Sequence, residues 1–266
     1  MFSIVSVYNN ERILHNCLLK SLNKQTSQFQ LILVDNKTSK YNSIPKALNI
    51  GAINAEGDYI MFIHQDVALL GIYWLYVAEQ FLNRLTDLGI AGVAGVSVEG
   101  KTLPKKFRNI IFGGSEGRTW GNRITEPEEV QTLDELLLIV PRRVFSYLKF
   151  DENFSFHLYG ADYCLTAKRL GLKVYVLPLP VWHLSNGLLD TNYFVTLMKL
   201  IGKHRMFYNK ICLTTLECWT QGPKYLINPH LVHFLYKIYK QIPLYVRKRI
   251  RENKLHRFVI NQFGIP

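Results

Sequence analysis

The residues best suited to chemistry are the polar triplet His64-Gln65-Asp66, which follows the apolar run of residues 59–63. Such a run is typical of a buried strand, and ligands of open α/β sheets lie at the carboxyl ends of the strands. His64 and Asp66 share one side of an extended chain, because alternate residues point the same way. An oxygen donor beside a nitrogen donor suits Mn²⁺ or Mg²⁺, particularly when the ion also binds a diphosphate. The alternative is that Asp66 caps the next helix and that His64 is an ordinary surface residue.

Alternating strands and helices would position this triplet. Apolar patterns predict strands at residues 2–7, 30–34, 59–63 and 90–93, with helices at about 13–22, 45–55 and 73–85 between them. This alternation indicates an α/β fold in which helices cover a parallel sheet. The first three strands all end in polar residues, at Asn9 to Glu11, Asp35-Asn36 and His64 to Asp66. Burial in a hydrophobic core explains the apolar strands, but it does not explain why all three end in polar residues.

The second half of the chain is less regular. Residues 99–128 have little periodicity and predict a long loop, which in a compact domain is usually functional or mobile. Further elements are predicted as a strand at 135–140, a short helix from Pro141, a helix at 163–170 and strands at 173–177 and 180–183. Beyond Asp190 the patterns predict helices at 193–208, 231–242 and 244–250. We therefore expect one domain at 1–188, with halves 1–98 and 99–188, and a helical extension at 189–266.

The composition limits the class of protein. The chain has 266 residues, of which 48% are hydrophobic, enough for a large core. Lys and Arg exceed Asp and Glu by 12 (32 minus 20), which favours an anionic partner such as a nucleotide, a nucleic acid or an acidic membrane face. The four cysteines lack metal-type spacing, so we interpret them as reduced core or helix residues. Residues 1–7 do not resemble a signal peptide, and no uninterrupted apolar run reaches about 18 residues, the length of a membrane-spanning helix.

The order and spacing of the motifs resemble those of family 2 glycosyltransferases with the GT-A fold. The resemblance covers residues 2–187 and rests on Ser6 to Glu11, Leu33 to Asn36, Asn49 to Gly51, the triplet, Phe150 to Glu152, Gly160 to Asp162 and His183. The family's commoner triplet has Asp in both outer positions, so the chain is most similar to members with a His-Gln-Asp triplet. The resemblance implies a mixed, mainly parallel sheet flanked by helices, here with a C-terminal helical extension. It also implies inverting transfer from a nucleoside-diphosphate sugar.

The resemblance implies a role for several residues at the reaction centre. Asp66 and His183 are expected to bind Mn²⁺ or Mg²⁺ on the diphosphate, and His64 to contact the ribose or a metal-bound water. Asp162 is expected to be the catalytic base that takes the proton of the acceptor hydroxyl group. Without the resemblance, Asp162 is equally readable as a helix N-cap and His183 as a structural histidine at a strand end.

Other residues are expected to bind the donor or the acceptor. Asp35 is similar to the carboxylate that accepts the imide N–H of uracil or thymine, although its alternative is a turn aspartate. The remaining expected donor contacts are Tyr8, Asn9, Glu11, Asn36, Lys46 and Asn49. Trp120 and His157 are expected on the acceptor side, although a buried anchor and a surface histidine are the respective alternatives.

The C-terminal residues are basic and aromatic. Eight Lys and Arg residues lie between positions 231 and 266, among Phe, Tyr, Leu and Ile. One interpretation is attachment to an anionic membrane that presents a glycan or lipid-linked acceptor. The other is a helical cap that packs on the domain or forms a homo-oligomer contact. No nucleic-acid-binding motif accompanies the charge. We expect a cytoplasmic protein, soluble or bound peripherally to the inner face of the plasma membrane.

Two other functions fit the same fold. A sugar nucleotidyltransferase would need a Gly-rich, basic segment after the first strand, which Tyr8 to Glu11 does not provide. A non-catalytic nucleotide- or glycan-binding protein would not need Asp66, Asp162 and His183 together. The donor sugar, the acceptor and the linkage depend on loop shapes that the sequence does not specify.

Overall fold

The structure is a computed structural model that describes residues 1–97, 107–113, 118–185, 190–215, 217–220, 237–238 and 241. The chain divides into two compact units, Met1–Gly187 and Leu188–Pro266. The predicted helices at 231–242 and 244–250, and with them the proposed membrane or oligomer contacts of the tail, lie almost entirely outside the described residues. Within the part that the structure describes, no helix is long and apolar enough to cross a membrane.

The strands are short, and most follow the apolar runs of the sequence. In chain order they are β1 (Phe2–Tyr8), β2 (Phe29–Asp35), β3 (Tyr59–Ile63), β4 (Val67–Leu69), β5 (Leu88–Gly92), β6 (Gly95–Val96), β7 (Phe107–Arg108), β8 (Ile111–Gly113), β9 (Arg118–Trp120), β10 (Glu128–Glu129), β11 (Thr132–Leu133), β12 (Leu137–Pro141), β13 (Lys173–Val176), β14 (Val181–His183), β15 (Lys210–Cys212) and β16 (Glu217–Trp219).

The helices alternate with the strands in the first half of the chain. They are α1 (Glu11–Leu14), α2 (Lys20–Leu22), α3 (Ile44–Gly51), α4 (Trp74–Arg84), α5 (Arg142–Phe145), α6 (Tyr159–Arg169) and α7 (Thr191–His204). A π-helical segment, His15–Leu19, joins α1 to α2, and a 3₁₀ turn, Ala52–Asn54, follows α3. Ser43 begins α3 by accepting a hydrogen bond from the Lys46 N–H, the usual role of an N-cap serine.

The central sheet is mixed and mainly parallel, as predicted. Its seven strands lie in the order β10-β13-β5-β12-β3-β1-β2. Strands β2, β1 and β3 are parallel to one another, and β12 is antiparallel to both β3 and β5. The carboxyl ends of β1, β2 and β3 therefore meet at one edge, and β12 begins at that same edge. This edge brings together the polar residues that follow the first three strands.

A second sheet supports the residues that follow β3. Its strands lie in the order β4-β14-β8-β9, with β14 between β4 and β8. Because β4 begins at Val67, the strand immediately follows the triplet, and its partner β14 comes from about 110 positions later in the sequence. The sheet thus fixes a distant segment beside the end of β3.

The core lies between the central sheet and its helices. Ile4, Leu18, Met61, Leu75 and Ile139 belong to one apolar cluster of fully buried side chains. Leu18 and Leu75 come from helical segments with apolar residues at helical spacing, and the other three come from strands. Burial of such side chains is the main source of stability for the edge that carries the polar residues.

Two predictions of local structure were wrong. The segment 99–128 is not irregular throughout, because its described residues include β7, β8, β9 and the start of β10. These strands are two or three residues long, too short for apolar alternation to reveal. Helix α6 begins at Tyr159, four residues earlier than predicted, because Leu158 in a left-handed conformation (φ 63°) starts it without a polar N-cap.

Candidate active site

Strand pairing brings His64, Asp66 and His183 together. His183 in β14 lies opposite Val67 in β4, the residue that follows Asp66. The N–H of Leu184 donates to the Asp66 carbonyl oxygen at 3.0 Å, which extends this pairing past the strand ends. One ligand atom from each of His64, Asp66 and His183 lies within 4.8 Å of the other two. A carboxylate and two imidazoles in this arrangement form a donor set that suits a divalent metal ion.

Mutual contacts determine the charges of these three groups. The Nε2 atom of His183 is 3.4 Å from Asp66 Oδ1, and the Ser185 hydroxyl lies 3.0 Å from the same Nε2. Burial opposes ionisation of Asp66, but the hydrogen bond and charge of His183 prevail and lower the pKa of Asp66 well below its usual range. Burial also disfavours charged His183, yet its hydrogen bond to Asp66 raises the pKa of His183. Burial and the nearby His183 lower the pKa of His64. Asp66 is therefore ionised and His64 neutral at neutral pH, the forms that bind metals.

Gly113 allows the neighbouring strand to approach His183. Strand β8 is parallel to β14, and Gly113 lies opposite His183. A Cβ atom on Gly113 would lie 2.0 Å from the His183 carbonyl oxygen, far inside contact distance. Strand β8 can therefore pair this closely with the strand that carries His183 only because residue 113 is glycine.

Gln65, the middle residue of the triplet, binds the loop after β1. Its Oε1 atom accepts the N–H groups of Asn9 and Asn10 at 3.1 and 3.0 Å, and its Nε2 donates to Asn9 Oδ1 at 2.6 Å. Asn9, predicted as a donor contact, therefore lies next to the triplet. Gln65 had no predicted role, although alternation points its side chain away from those of His64 and Asp66.

A charged cluster forms the rim of the cleft beside β1 and β2. The Tyr8 hydroxyl donates to Asp35 Oδ2 at 3.1 Å, and the Lys37 ammonium lies 3.3 Å from the same oxygen. Lys37 also pairs with Glu11 at 2.5 Å. The hydrogen bond from the Lys37 backbone N–H lowers the pKa of Asp35. The structure thus brings Tyr8, Glu11 and Asp35 together, although of these three only Tyr8 lines the cavity. Lys37 is a member of the cluster that was not predicted.

Asn36 shapes the loop that follows β2. Its backbone N–H donates to the Tyr8 carbonyl oxygen at 2.8 Å, which continues the β1–β2 pairing. The side-chain amide of Asn36 exchanges hydrogen bonds with the backbone of Tyr41 at 2.8 and 3.1 Å. Asn36 also lines the cavity. It is both a loop anchor and a part of the cavity wall.

Asn49, expected as a donor contact, binds other parts of the protein. Asn49 is 8% exposed, and its amide binds the backbone of Phe150, accepting from the N–H at 3.2 Å and donating to the carbonyl oxygen at 2.9 Å. It also donates to Glu152 Oε1 at 3.0 Å. These contacts use both ends of the amide, so Asn49 ties α3 to residues 150–152, and it does not line the cavity. Lys46, in the first turn of α3, has an exposed side chain outside the cavity wall.

Asp162 lies in the first turn of α6, not at the N-cap. The residue is 2% exposed and does not line the cavity, whereas Tyr159, one turn earlier, does. His157 is partly exposed and also lies outside the cavity wall. Trp120 ends β9, where it lies opposite Ile111 and not beside Gly113 and His183. The structure therefore does not place Asp162 or His157 in the wall of the cavity.

A cavity of about 250 Å³ opens beside His64, Asp66 and Ser185. Its wall contains Tyr8, Asn9 and Asn36 on one side and His64, Asp66 and Ser185 on the other. Glu135 and the 51% exposed Phe156 also line it, and sequence reasoning missed both. His64 was identified as a polar residue at the end of an apolar strand. Glu135 is a polar residue near the start of such a strand. Only the antiparallel direction of β12 brings that start to the polar edge.

Comparisons with known proteins agree with this architecture. The model of a family described as "Glycosyltransferase like family" matches residues 3–185. A Fuscovulum blasticum protein described as "ATP synthase subunits region ORF 6" is 31% identical over 163 residues, which are 58% of this chain and 62% of that protein. The chain thus spans less than two thirds of this relative.

Solved structures share the fold at low sequence identity. GalNAc-T7 with UDP, GalNAc and Mn²⁺ has a TM-score of 0.57 and 12% identity, covering 97% of this chain and 54% of that one. TarS 1-349 from S. aureus in complex with UDP-GlcNAc has a TM-score of 0.54 and 16% identity, covering 100% of this chain and 81% of that one. These similarities confirm the GT-A fold. Because the family match covers more than half of its length, the chain belongs to the glycosyltransferase-like family.

Proposed function

We propose that the protein transfers a sugar from a nucleoside-diphosphate donor, with UDP as the nucleotide, to a glycan or lipid-linked glycan acceptor, with inversion at the anomeric carbon. The observation that carries this proposal is the convergence of His64, Asp66 and His183 within 4.8 Å beside a cavity. UDP and UDP-GlcNAc are bound in the TarS structures that share the fold, which makes them the first ligands to test here.

The donor set fits a divalent cation. His64, Asp66 and His183 would hold Mn²⁺ or Mg²⁺, with diphosphate oxygens and water as the remaining ligands. When bound, such an ion supplies positive charge that stabilises the departing nucleoside diphosphate. Asp66 is the anionic member of the set, and the Ser185 hydroxyl helps to orient the His183 ring.

The nucleoside is proposed to bind at the Tyr8 side of the cleft. Tyr8 offers an aromatic face, and its hydroxyl group orients Asp35, the proposed acceptor for the uracil imide N–H. The Lys37 ammonium, paired with Asp35 and Glu11, fixes the position of this carboxylate. Gln65 holds the Asn9-Asn10 backbone next to the proposed metal ligands. Nucleoside and diphosphate would therefore contact one connected set of loops.

Asp162 is the proposed base for the acceptor hydroxyl group. It lies one helical turn after Tyr159, which lines the cavity. The backbone N–H of Asp162 donates to the Leu158 carbonyl oxygen. Its exposure of 2% favours one competing function, a non-catalytic nucleotide- or glycan-binding protein on the same fold. We expect the Asp162 carboxylate to reach the acceptor in the complex with substrate, where hydrogen bonds of catalytic groups commonly tighten.

The test is a donor panel assayed for nucleoside diphosphate release, with Mn²⁺ and with EDTA. We expect release from a UDP-sugar that requires Mn²⁺ and is lost in Asp66→Asn. We also expect Asp162→Asn to lower turnover by about 10²–10⁴-fold, the usual loss for a general base, while UDP affinity stays within a factor of about two. Glu129→Gln, which removes a surface carboxylate paired with Lys168, is the matched control.

Two results would contradict the proposal. UDP-sugar binding without any turnover, in the presence of Mn²⁺ and candidate acceptors, would favour the non-catalytic function. Normal turnover of Asp162→Asn would remove Asp162 as the base.

A further inference from the structure

Glu135 lies opposite the end of β3, in the wall of the same cavity as Asp66. It lies two residues before β12, which is antiparallel to β3. The N–H of His64 donates to the Leu136 carbonyl oxygen at 3.0 Å, so the pairing of these two strands continues beyond their ends. The carboxyl group of Glu135 is thereby fixed next to the proposed diphosphate site.

Backbone N–H groups hold this carboxyl group in place. The Gly160 N–H donates to Glu135 Oε1 at 3.0 Å, and the backbone of Leu158 and Tyr159 also favours the ionised form of this carboxyl group. These residues form the start of α6, where N–H groups have no partner within the helix. Leu158 occupies the N-cap position and has no side chain that could bind them. Glu135 therefore caps α6 from a different element.

The backbone is adapted to the approach of Glu135. A Cβ atom on Gly160 would lie 2.8 Å from Glu135 Cγ and 3.0 Å from a Leu138 methyl group. Leu158 adopts φ 63°, a conformation that residues other than glycine rarely adopt. The glycine at position 160 and the left-handed conformation of Leu158 both adapt the start of α6 to the Glu135 carboxyl group, which indicates that the position of this group is specific.

Glu135 is a neutral acid at neutral pH. Burial raises its pKa to about 8, and the negative charge of Asp134 acts in the same direction. Tyr159 and Cys164, both on α6, are the other titratable groups that interact with it, and Asp66 and His64 face the same cavity. A protonated carboxyl group carries one O–H donor and one carbonyl acceptor. A neutral group beside the diphosphate site also avoids repulsion between negative charges.

We propose that Glu135 contacts the transferred sugar of the donor and helps to determine which sugar the protein accepts. This inference rests on the proposed function. The sugar is bonded to the diphosphate, so it must lie directly beside the metal-binding group, where Glu135 forms part of the wall. A sugar hydroxyl group both donates and accepts a hydrogen bond, which matches a neutral carboxyl group. The N–H groups of α6 fix one part of the carboxyl group, and the part that faces the cavity is available to the sugar.

The test compares the binding of UDP with that of UDP-GlcNAc, UDP-GalNAc, UDP-glucose and UDP-galactose by calorimetry in the presence of Mn²⁺. The variants are Glu135→Leu, Glu135→Gln and the surface control Glu129→Gln. We expect Glu135→Leu to weaken binding of the preferred UDP-sugar by about tenfold, as for one lost hydrogen bond, and to leave UDP affinity unchanged. Glu135→Gln retains a donor and an acceptor, so we expect it to bind the preferred sugar within about threefold but to change the order of preference among the four.

Each other outcome overturns the assignment. An equal loss for UDP and UDP-sugar would restrict Glu135 to capping α6, and no loss for either would remove it from the donor site. Normal UDP-sugar affinity with abolished turnover would make Glu135 the base instead of a sugar contact. If Glu135→Leu does not fold, an unchanged order of preference in Glu135→Gln is sufficient to overturn the proposal. If the wild-type protein binds no UDP-sugar, the proposed function fails first, a result distinct from all of these.

Discussion

Replacing Glu135 by glutamine should change the pH dependence of stability. The pKa of Glu135 is about 8 in the folded protein, against an ordinary value of 4.5. Between these values the folded protein holds a proton that the unfolded chain has released, so the free energy of unfolding falls as pH rises through this window. Below pH 4.5 both states are protonated, and above about pH 8 both are ionised, so the difference is constant outside the window.

The magnitude follows from the width of this window. Each pH unit in which only the folded state keeps the proton lowers the free energy of unfolding by about 1.4 kcal/mol. Between about pH 5 and pH 8 the free energy of unfolding of the wild-type protein should therefore fall by about 3 kcal/mol relative to that of Glu135→Gln. This value already includes a reduction, because the structure around a buried ionised group relaxes. Most other groups titrate in both proteins and cancel in the comparison. Tyr159 and Cys164 interact with Glu135 directly, but burial raises the pKa of each above this window.

Urea unfolding at several pH values measures this difference. Glu129→Gln is the matched control, because an exposed ion pair contributes only about 0–1 kcal/mol. Stability curves of wild type and Glu135→Gln that run parallel from pH 5 to pH 8 would refute the reasoning, since they would mean that Glu135 is ionised in the folded protein.

Two further substitutions test the supports of the site. Asn49→Ala removes the hydrogen bonds to Phe150 and Glu152, so it should lower the free energy of urea unfolding by about 1–3 kcal/mol while the Kd for UDP stays unchanged. If the free energy of UDP binding falls by more than the free energy of unfolding, Asn49 contacts the donor. Gly113→Ala places a Cβ atom 2.0 Å from the His183 carbonyl oxygen, so it should cost about 1–3 kcal/mol or more and weaken Mn²⁺ binding. Gly202→Ala, where nothing lies within 4 Å of the added atom, is its control, and equal effects of the two would contradict the steric argument.

The sequence allowed prediction of the sheet because apolar runs and their polar ends are local signals. Strand β3 was predicted at its observed bounds, and His64, Asp66 and His183 were predicted to lie on one cleft. The backbone contacts of Asn49 could not be predicted, because a buried asparagine bound to backbone and one bound to a ligand look identical in sequence. The distinction depends on the 150–152 turn, which lies about a hundred positions away.

Glu135 was missed for a related reason. Its role depends on the antiparallel direction of β12 and on a helix start at Tyr159 that lacks a polar cap. The predicted start of α6 was late because the usual signal, a Ser, Thr, Asp or Asn just before the helix, is absent there and Glu135 supplies the cap. A cap from another element leaves no trace in the local sequence.

The contacts of Gln65 have a consequence for the entropy of binding. A single side chain joins the loop after β1 to the loop after β3 through three hydrogen bonds. Ordering one residue of a free loop costs about 1–2 kcal/mol of conformational entropy, and a ligand that ordered both loops would lose that much affinity for each residue. In this protein folding has already fixed the two loops relative to each other. A ligand that spans them therefore meets a preorganised surface, and its contacts at one loop are not weakened by motion of the other.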